Sequence, residues 1–235
     1  MKFLVTNADD FGFTRDVNEG IVHAYRDGIL TATTLMATGA AFDHAVALAR
    51  ENPGLDVGVH LVLVGAEGFP PSVPKLLLSL GRMRIYEELV RQVRRAIDAG
   101  IQPTHLDTHK HTHLLPPVFG AMARIAREFG IRWIRRPFGP FRFQRPAPGV
   151  RTTDHFAGFR MTGKYGAGEL ADLIHGLPDG STEFMCHPGY CTPELLAART
   201  RLKESRRREL DALTSPEVRV AIEESGIRLV SYRDL

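Results

Sequence analysis

Residues 105–113 read HLDTHKHTH, which places four of the chain's ten histidines in nine positions. His105, Asp107, His109, His111 and His113 all fall on odd numbers. Alternate side chains of an extended segment share a face, so a strand here aims all five groups the same way. Imidazoles and a carboxylate make a poor core face and a good lining for a polar site. Nine extended residues span roughly 30 Å, so one ion can take one or two of these imidazoles at most. The others are left for substrate, for orienting a ligand or for structure. His105, deepest in the strand beside Asp107, reads as the structural member.

Three further segments carry groups of the same kind. NADDFG (7–12) joins Asp9 and Asp10 at the end of an apolar run, VGVHL (57–61) carries His60, and MCHPG (185–189) sets His187 before a Pro-Gly turn. A carboxylate with two imidazoles, leaving positions open, is a recurrent catalytic site for zinc and other divalent ions. A second carboxylate can then accept a proton while the cation keeps both ionised. His187 could act as general acid toward a leaving amine or alkoxide. Each group also has a plainer reading. Asp9 could cap the following turn, and His60 alone could be a satisfied buried residue. His23, His44 and His175 sit in helical segments as surface or packing residues. GKYGAGE (163–169) lacks the G-x4-G-K-[ST] spacing of a phosphate loop.

Bringing these groups together requires a particular order of elements. KFLVTN reads as a buried strand, and DVNEGIVHAYRDG as the helix after it, with Val17, Ile21, Val22 and Tyr25 at helical spacing and Gly28 as the stop. ILTATTLMAT, LDVGVHLVLV, PTHLDTHKH, IRWIRRP, TEFMCHP and IRLVSYRDL read as further strands. Helices fall in AFDHAVALARENPG, IYEELVRQVRRAIDAG, PPVFGAMARIAREFG, GELADLIHGL, residues 194–213 and PEVRVAIEESG. Residues 136–168, rich in Pro, Gly, Arg and Phe, read as a long excursion. The alternation predicts an α/β fold with about seven largely parallel strands, an irregular barrel rather than an open layer, in one domain over 1–235. In such folds the carboxyl ends of the strands share one rim. Asp9, Asp10, His60, His109 and His187 all fall at strand ends, so they are predicted to converge there.

Composition narrows the partners. With 43% hydrophobic and 24% charged residues the chain can bury a sizeable core, and its net charge of +3 is small for 235 residues. The densest basic stretch, RTRLKESRRREL (199–210), includes Glu204 and Glu209 and no aromatic residue for base stacking. It reads as a solvated helix face rather than a nucleic-acid surface. Cys186 and Cys191 have neither the number of a disulfide framework nor the spacing of a zinc finger. MKFLVTNADD meets charge too early for a signal peptide, and no run approaches the ~18 apolar residues of a membrane span. A cytoplasmic protein is the expectation. The apolar PKLLLSL (74–80) is a candidate homodimer contact.

NADDFG, VGVHLVL, PTHLDTHKHTH, EFMCHPG and the closing GIRLVSYRDL occur in an order, and over a span from residue 4 to residue 235, that resembles the YdjC-like carbohydrate deacetylases. That family includes chitooligosaccharide deacetylases and deacetylases associated with hopanoid biosynthesis. The resemblance implies a distorted (β/α) barrel related to the polysaccharide-deacetylase fold. It implies one divalent metal ion, Mg or Zn with Mn or Co also compatible, held by Asp10, His60 and His109. Asp9 would be the general base and His187 the general acid. The implied reaction removes the acetyl group from an N-acetylated sugar, either an N-acetylglucosamine oligosaccharide or a glycolipid headgroup, and releases acetate. His111 and His113 are expected at the substrate, with Arg135, Arg136, Phe156 and Phe159 forming a wall from the excursion. Two alternatives stand beside this. One is a metal-dependent hydrolase of another bond such as a phosphoester, although those barrels usually carry an H-x-H pair where this chain has Asp9-Asp10. The other is a sugar-binding relative without turnover, which would have no need of Asp9.

Overall fold

The apolar run at the start continues through NADDF as one strand, β1 (Lys2–Phe11), about which the rest of the sheet is arranged. In this computed structural model, which describes residues 1–82 and 84–235, seven more strands follow. They are β2 (Ala32–Leu35), β3 (Asp56–Leu61), β4 (His105–Thr108), β5 (Trp133–Ile134), β6 (His155–Ala157), β7 (Gly180–Cys186) and β8 (Ile227–Leu229). The helices are α1 (Arg15–Asp27), α2 (Phe42–Glu51), α3 (Val73–Ser79), α4 (Ile85–Asp98), α5 (Pro116–Glu128), α6 (Ala167–His175), α7 (Pro193–Ala197), α8 (Glu204–Leu213) and α9 (Pro216–Glu224). Among the described residues, no helix is long and apolar enough to cross a membrane.

Every strand pairing is parallel, in the order β5-β4-β3-β2-β1-β7-β6. β7 lies along β1 from Lys2 to Ala8, so the other edge of β1 is shared, with β8 beside Lys2–Leu4 and β2 from Asn7 onward. The sheet curls into an irregular barrel, closed by one segment. Arg151 bridges to Trp133 of β5, and a few residues later His155–Ala157 pair with Thr182–Phe184 of β7. One stretch of chain therefore touches both ends of the sheet.

The main core lies between the sheet and its helices, while a smaller apolar floor of Val5, Ala32, Trp133, Val230 and Tyr232 seals the base of the barrel. Above that floor the interior turns polar. His105 stacks on Tyr232 with ring centroids 4.0 Å apart, and its Nε2 lies 3.3 Å from Asn7 Oδ1. Asn7 in turn donates to Glu183 at 3.1 Å. The structural role expected for His105 agrees with this placement. Gly58 makes the stack possible, since a Cβ there would lie 2.4 Å from the His105 carbonyl oxygen.

Three sequence expectations change. The fourth strand stops at Thr108, and residues 109–114 form a 3₁₀ turn in which Lys110 (φ 54°) and His111 (φ 51°) are left-handed. The His113 N–H closes the turn by donating to Thr108 Oγ1 at 2.9 Å. Strand alternation thus places His105 and Asp107 and leads into His109, but it does not place His111 or His113. The helix expected over 194–213 is two helices, α7 and α8. Lys203 Nζ, between them, donates to the carbonyls of Leu195, Leu196 and Ala198 and so stops α7. The excursion over 136–168 contains β6, which the sequence did not reveal.

Candidate active site

The site begins with a defect in β1. Its pairing with β2 runs Ala8↔Thr33 and then Phe11↔Leu35, so β1 carries one residue more than its partner. Asp10 takes the left-handed conformation there (φ 71°), which Asp tolerates better than most residues. A bulge of this kind re-aims side chains. Adjacent carboxylates that a regular strand would send to opposite faces therefore both reach the carboxyl rim.

His60 stands opposite Asp107 in the β3–β4 register, and its Nδ1 lies 2.7 Å from Asp107 Oδ1. Thr34 Oγ1 donates to the other Asp107 oxygen at 3.1 Å. This carboxylate fixes the tautomer and the ring, directing Nε2 to the rim. His60 Nε2 lies 3.4 Å from Asp10 Oδ1. His109 Nδ1 lies 3.3 Å from that oxygen and 3.3 Å from His60 Nε2. Ligands at ~2.0–2.1 Å around a tetrahedral ion are about 3.3–3.4 Å apart. Asp10 Oδ1 is buried without a hydrogen-bond partner. Spacing, donor types and the unpartnered oxygen all fit a divalent cation, and these three residues could hold one.

Asp9 is held separately. Arg135, 1% exposed, grips it with Nη1 to Oδ2 at 2.9 Å and Nη2 to Oδ1 at 2.6 Å. The same guanidinium reaches Asp107 at 2.7 Å and Glu183 at 2.8 Å. Burial alone would push the Asp9 carboxyl up, but Arg135 overrides it and holds Asp9 well below the usual carboxylate range. Asp10 shows the same balance, with burial opposed by Arg206 and by the imidazoles of His109 and His60 that face it. Burial would lower the His60 pKa, but the field of Asp107, its hydrogen bond and the nearby Asp10 carboxylate outweigh that and push it up to about 10. The two arginines thus keep both carboxylates ionised, while the carboxylates around His60 favour its protonated form in the absence of a cation.

His187 follows β7 on the same rim, with Nε2 3.9 Å from Asp9 Oδ2. Burial draws its pKa below the ordinary histidine value in spite of Asp9, Glu209 and Asp10. Asp9, Asp10, His60, His109 and His187 line one cavity of about 330 Å³, with Lys110, Arg199 and Arg201 at its wall. A larger cavity of about 780 Å³ opens at the amino ends of β3–β5, around Arg132, Trp133 and Arg151. It contains none of these groups, so the smaller cavity is the one with chemistry.

The residues expected at the substrate separate. His111 lines the cavity, its ring edge-on to Phe138 and Phe159 at 5.3 and 5.0 Å. Phe159 joins this cavity to an apolar groove of about 690 Å³ that includes Phe138, Phe141 and Phe156. His113 is fully buried, its Nδ1 2.9 Å from Thr108 Oγ1, and does not reach the cavity. Arg135 lies beneath Asp9 rather than on a wall, because three buried carboxylates claim its guanidinium. Arg136 donates to the Thr153 carbonyl at 3.1 Å and does not line the cavity.

Sequence reasoning passed over Asp107 as a partner of His60, Glu183 as a partner of Arg135, and the part that α8 plays at the site. The basic stretch expected to be a solvated face buries Arg206 and Glu209, each 1% exposed. A signal was present. Arg206 falls four residues before the buried Leu210, and Glu209 four before the buried Leu213, on the same helical stripe.

A family model described as YdjC-like protein matches residues 3–224. A carbohydrate deacetylase of Geobacillus stearothermophilus is 35% identical over 250 residues, covering 99% of this chain and 98% of its own. A chitooligosaccharide deacetylase of Klebsiella pneumoniae (strain 342) is 34% identical over 262 residues, covering 100% of this chain and 99% of its own. A solved structure from Enterococcus faecalis V583, provisionally assigned to cellobiose-phosphate cleavage, superposes with a TM-score of 0.84 at 27% identity, covering 99% of this chain and 98% of its own.

Proposed function

This chain belongs to the YdjC-like protein family, and from that premise we propose that it is a hydrolase removing the acetyl group from an N-acetylated sugar, with one divalent cation held by Asp10, His60 and His109. The observation that carries the reading is the approach of Asp10 Oδ1, His60 Nε2 and His109 Nδ1 to within 3.3–3.4 Å of one another, beside a second carboxylate kept apart from them. Relatives named as carbohydrate and chitooligosaccharide deacetylases support a sugar amide as the bond cleaved. An oligosaccharide containing N-acetylglucosamine or a glycolipid headgroup is the substrate class. Two imidazoles in the donor set favour a borderline ion such as zinc over magnesium, which prefers oxygen ligands.

A cation in this position supplies Lewis-acid polarisation of the amide carbonyl. The chain's own groups divide the proton work. Asp9, kept ionised by Arg135, can only accept, and it takes the proton from the attacking water. His187 is the group that delivers a proton to the departing nitrogen. The 3.9 Å between Asp9 Oδ2 and His187 Nε2 is too long for a direct hydrogen bond and leaves the two free to serve opposite sides of the reacting carbon.

The test is acetate release from N-acetylglucosamine oligosaccharides and glycolipids by metal-stripped protein with single ions restored, beside Asp9→Asn. We expect ion-dependent release and a loss of roughly 10²–10⁴-fold in Asp9→Asn. Release without any ion would overturn the metal assignment, and an unimpaired Asp9→Asn would remove the base.

A further inference from the structure

Arg206 and Glu209 lie one turn apart on α8 and reach different members of the site. Glu209 Oε2 accepts from the His187 backbone N–H at 2.6 Å and from the Tyr165 hydroxyl at 3.0 Å, and Oε1 accepts from Gly163 N–H at 2.7 Å. Arg206 Nη2 donates to Asp10 Oδ2 at 2.5 Å. The Arg206 carbonyl accepts from Gly189 N–H at 3.2 Å, and a Cβ on Gly189 would lie 3.2 Å from Arg206 Cδ. The Arg206 stem is thus seated against the HPG turn. Phe13, which lines the cavity, has its ring centroid 5.9 Å from the guanidinium. Arg206 itself is not among the cavity-lining residues.

Nothing in the packing calls for an arginine here. Its Nε–H and Nη1–H are buried without acceptors, an unfavourable state for a charged group. An apolar side chain of similar length would fill the same volume. Among the described residues, the one polar side-chain contact it makes is with Asp10, on the oxygen that the two imidazoles leave alone. Asp10 Oδ1 faces His60 and His109, while Oδ2 is occupied by Arg206.

We infer that Arg206 is a positioning residue for the cation centre, holding Asp10 as a one-oxygen ligand. This rests on the reading of Asp10, His60 and His109 as the ligand set. With Oδ2 engaged, the carboxylate offers Oδ1 alone, and further coordination positions stay open for water and substrate. Released from Arg206, Asp10 would be free to turn both oxygens to the ion and add one ligand to its shell. A second effect runs alongside. The guanidinium charge also opposes a cation at Oδ1, so affinity alone mixes charge with geometry, whereas ligand number reports the geometry.

The experiment is cobalt(II) substitution of the metal-stripped protein, read by visible absorption, because band intensity falls as ligand number rises. The wild type is expected to give an intense band of low coordination number, and Arg206→Met a band several-fold weaker at full loading. Arg206→Lys, which restores a donor, is expected to lie between them. A wild-type band in Arg206→Met overturns the inference. Should Arg206→Met fail to fold, Gly189→Ala, whose Cβ would press on the Arg206 stem at 3.2 Å, is read with Arg206→Lys. A weakened band in either supports the inference, and wild-type bands in both overturn it. Failure of the wild type to take up cobalt would instead overturn the ligand set itself.

Discussion

At the scale of the residue, His60 concentrates the physics of the site. Its folded pKa of about 10 lies above the ordinary value of 6.5, so its contribution to stability is complete below pH 6.5 and is lost as pH rises through 10. In metal-free protein the thermal midpoint should therefore decline between pH 7 and 10, with a shallower decline in His60→Asn. Equal slopes would show that His60 holds no extra proton. The sequence displayed part of this site clearly. Period-two spacing from His105 to His109 marked one face of a strand, and that strand exists. His111 and His113 kept the same parity, yet a left-handed pair of residues took them elsewhere. Such a turn depends on Thr108 Oγ1 receiving the His113 N–H, a contact that parity cannot express.

The elements tell a similar story about what spacing can and cannot reveal. Strand–helix alternation and strand-end chemistry were legible because both follow from hydrophobic period and turn residues. The bulge in β1 was not, since one added residue in a pairing register leaves no mark in a single strand's composition. Nor was β6, three half-buried residues set in a Pro- and Gly-rich tract. Gly20 shows how element packing can reverse a local rule. Within an exposed helix, Gly→Ala stabilises by about 1 kcal/mol. On α1, however, a Cβ at Gly20 would lie 2.4 Å from Gly189 Cα, where the helix meets the HPG turn. Gly20→Ala should instead destabilise by about 1–3 kcal/mol in urea unfolding, the usual cost of overpacking. A more stable variant would mean that this contact yields freely.

Across the whole molecule, the barrel interior passes from an apolar floor through Asn7, His105 and Glu183 to the charged rim, with Arg135 tying three carboxylates together. Removing one partner of a buried ion pair costs about 3–5 kcal/mol. Arg135→Met should lower the denaturation midpoint accordingly at pH 7. Burial already holds the Asp107 and Glu183 carboxyls above the ordinary carboxylate range in spite of Arg135, and without the guanidinium these rise further while Asp9 loses the partner that holds it low. The folded state then binds more protons, and the deficit should shrink as the pH is lowered from 7 towards 5. A deficit that stays constant with pH would place the cost in packing instead.

The manner of barrel closure has a consequence for descent. Arg151 and β6 secure both ends of the sheet from within one segment, and the mostly exposed loop just before it, residues 139–149, bears no part of that closure. This loop begins beside Phe138 and Phe141, at the lip of the groove that adjoins the cavity. Lineages can lengthen or trim such a tip while the sheet stays shut and the rim keeps its charges. Changes in the loop would thus reshape the lip of the groove and leave the charged rim as it is, so the contour beside the cavity can vary independently of the lacing that holds this barrel together.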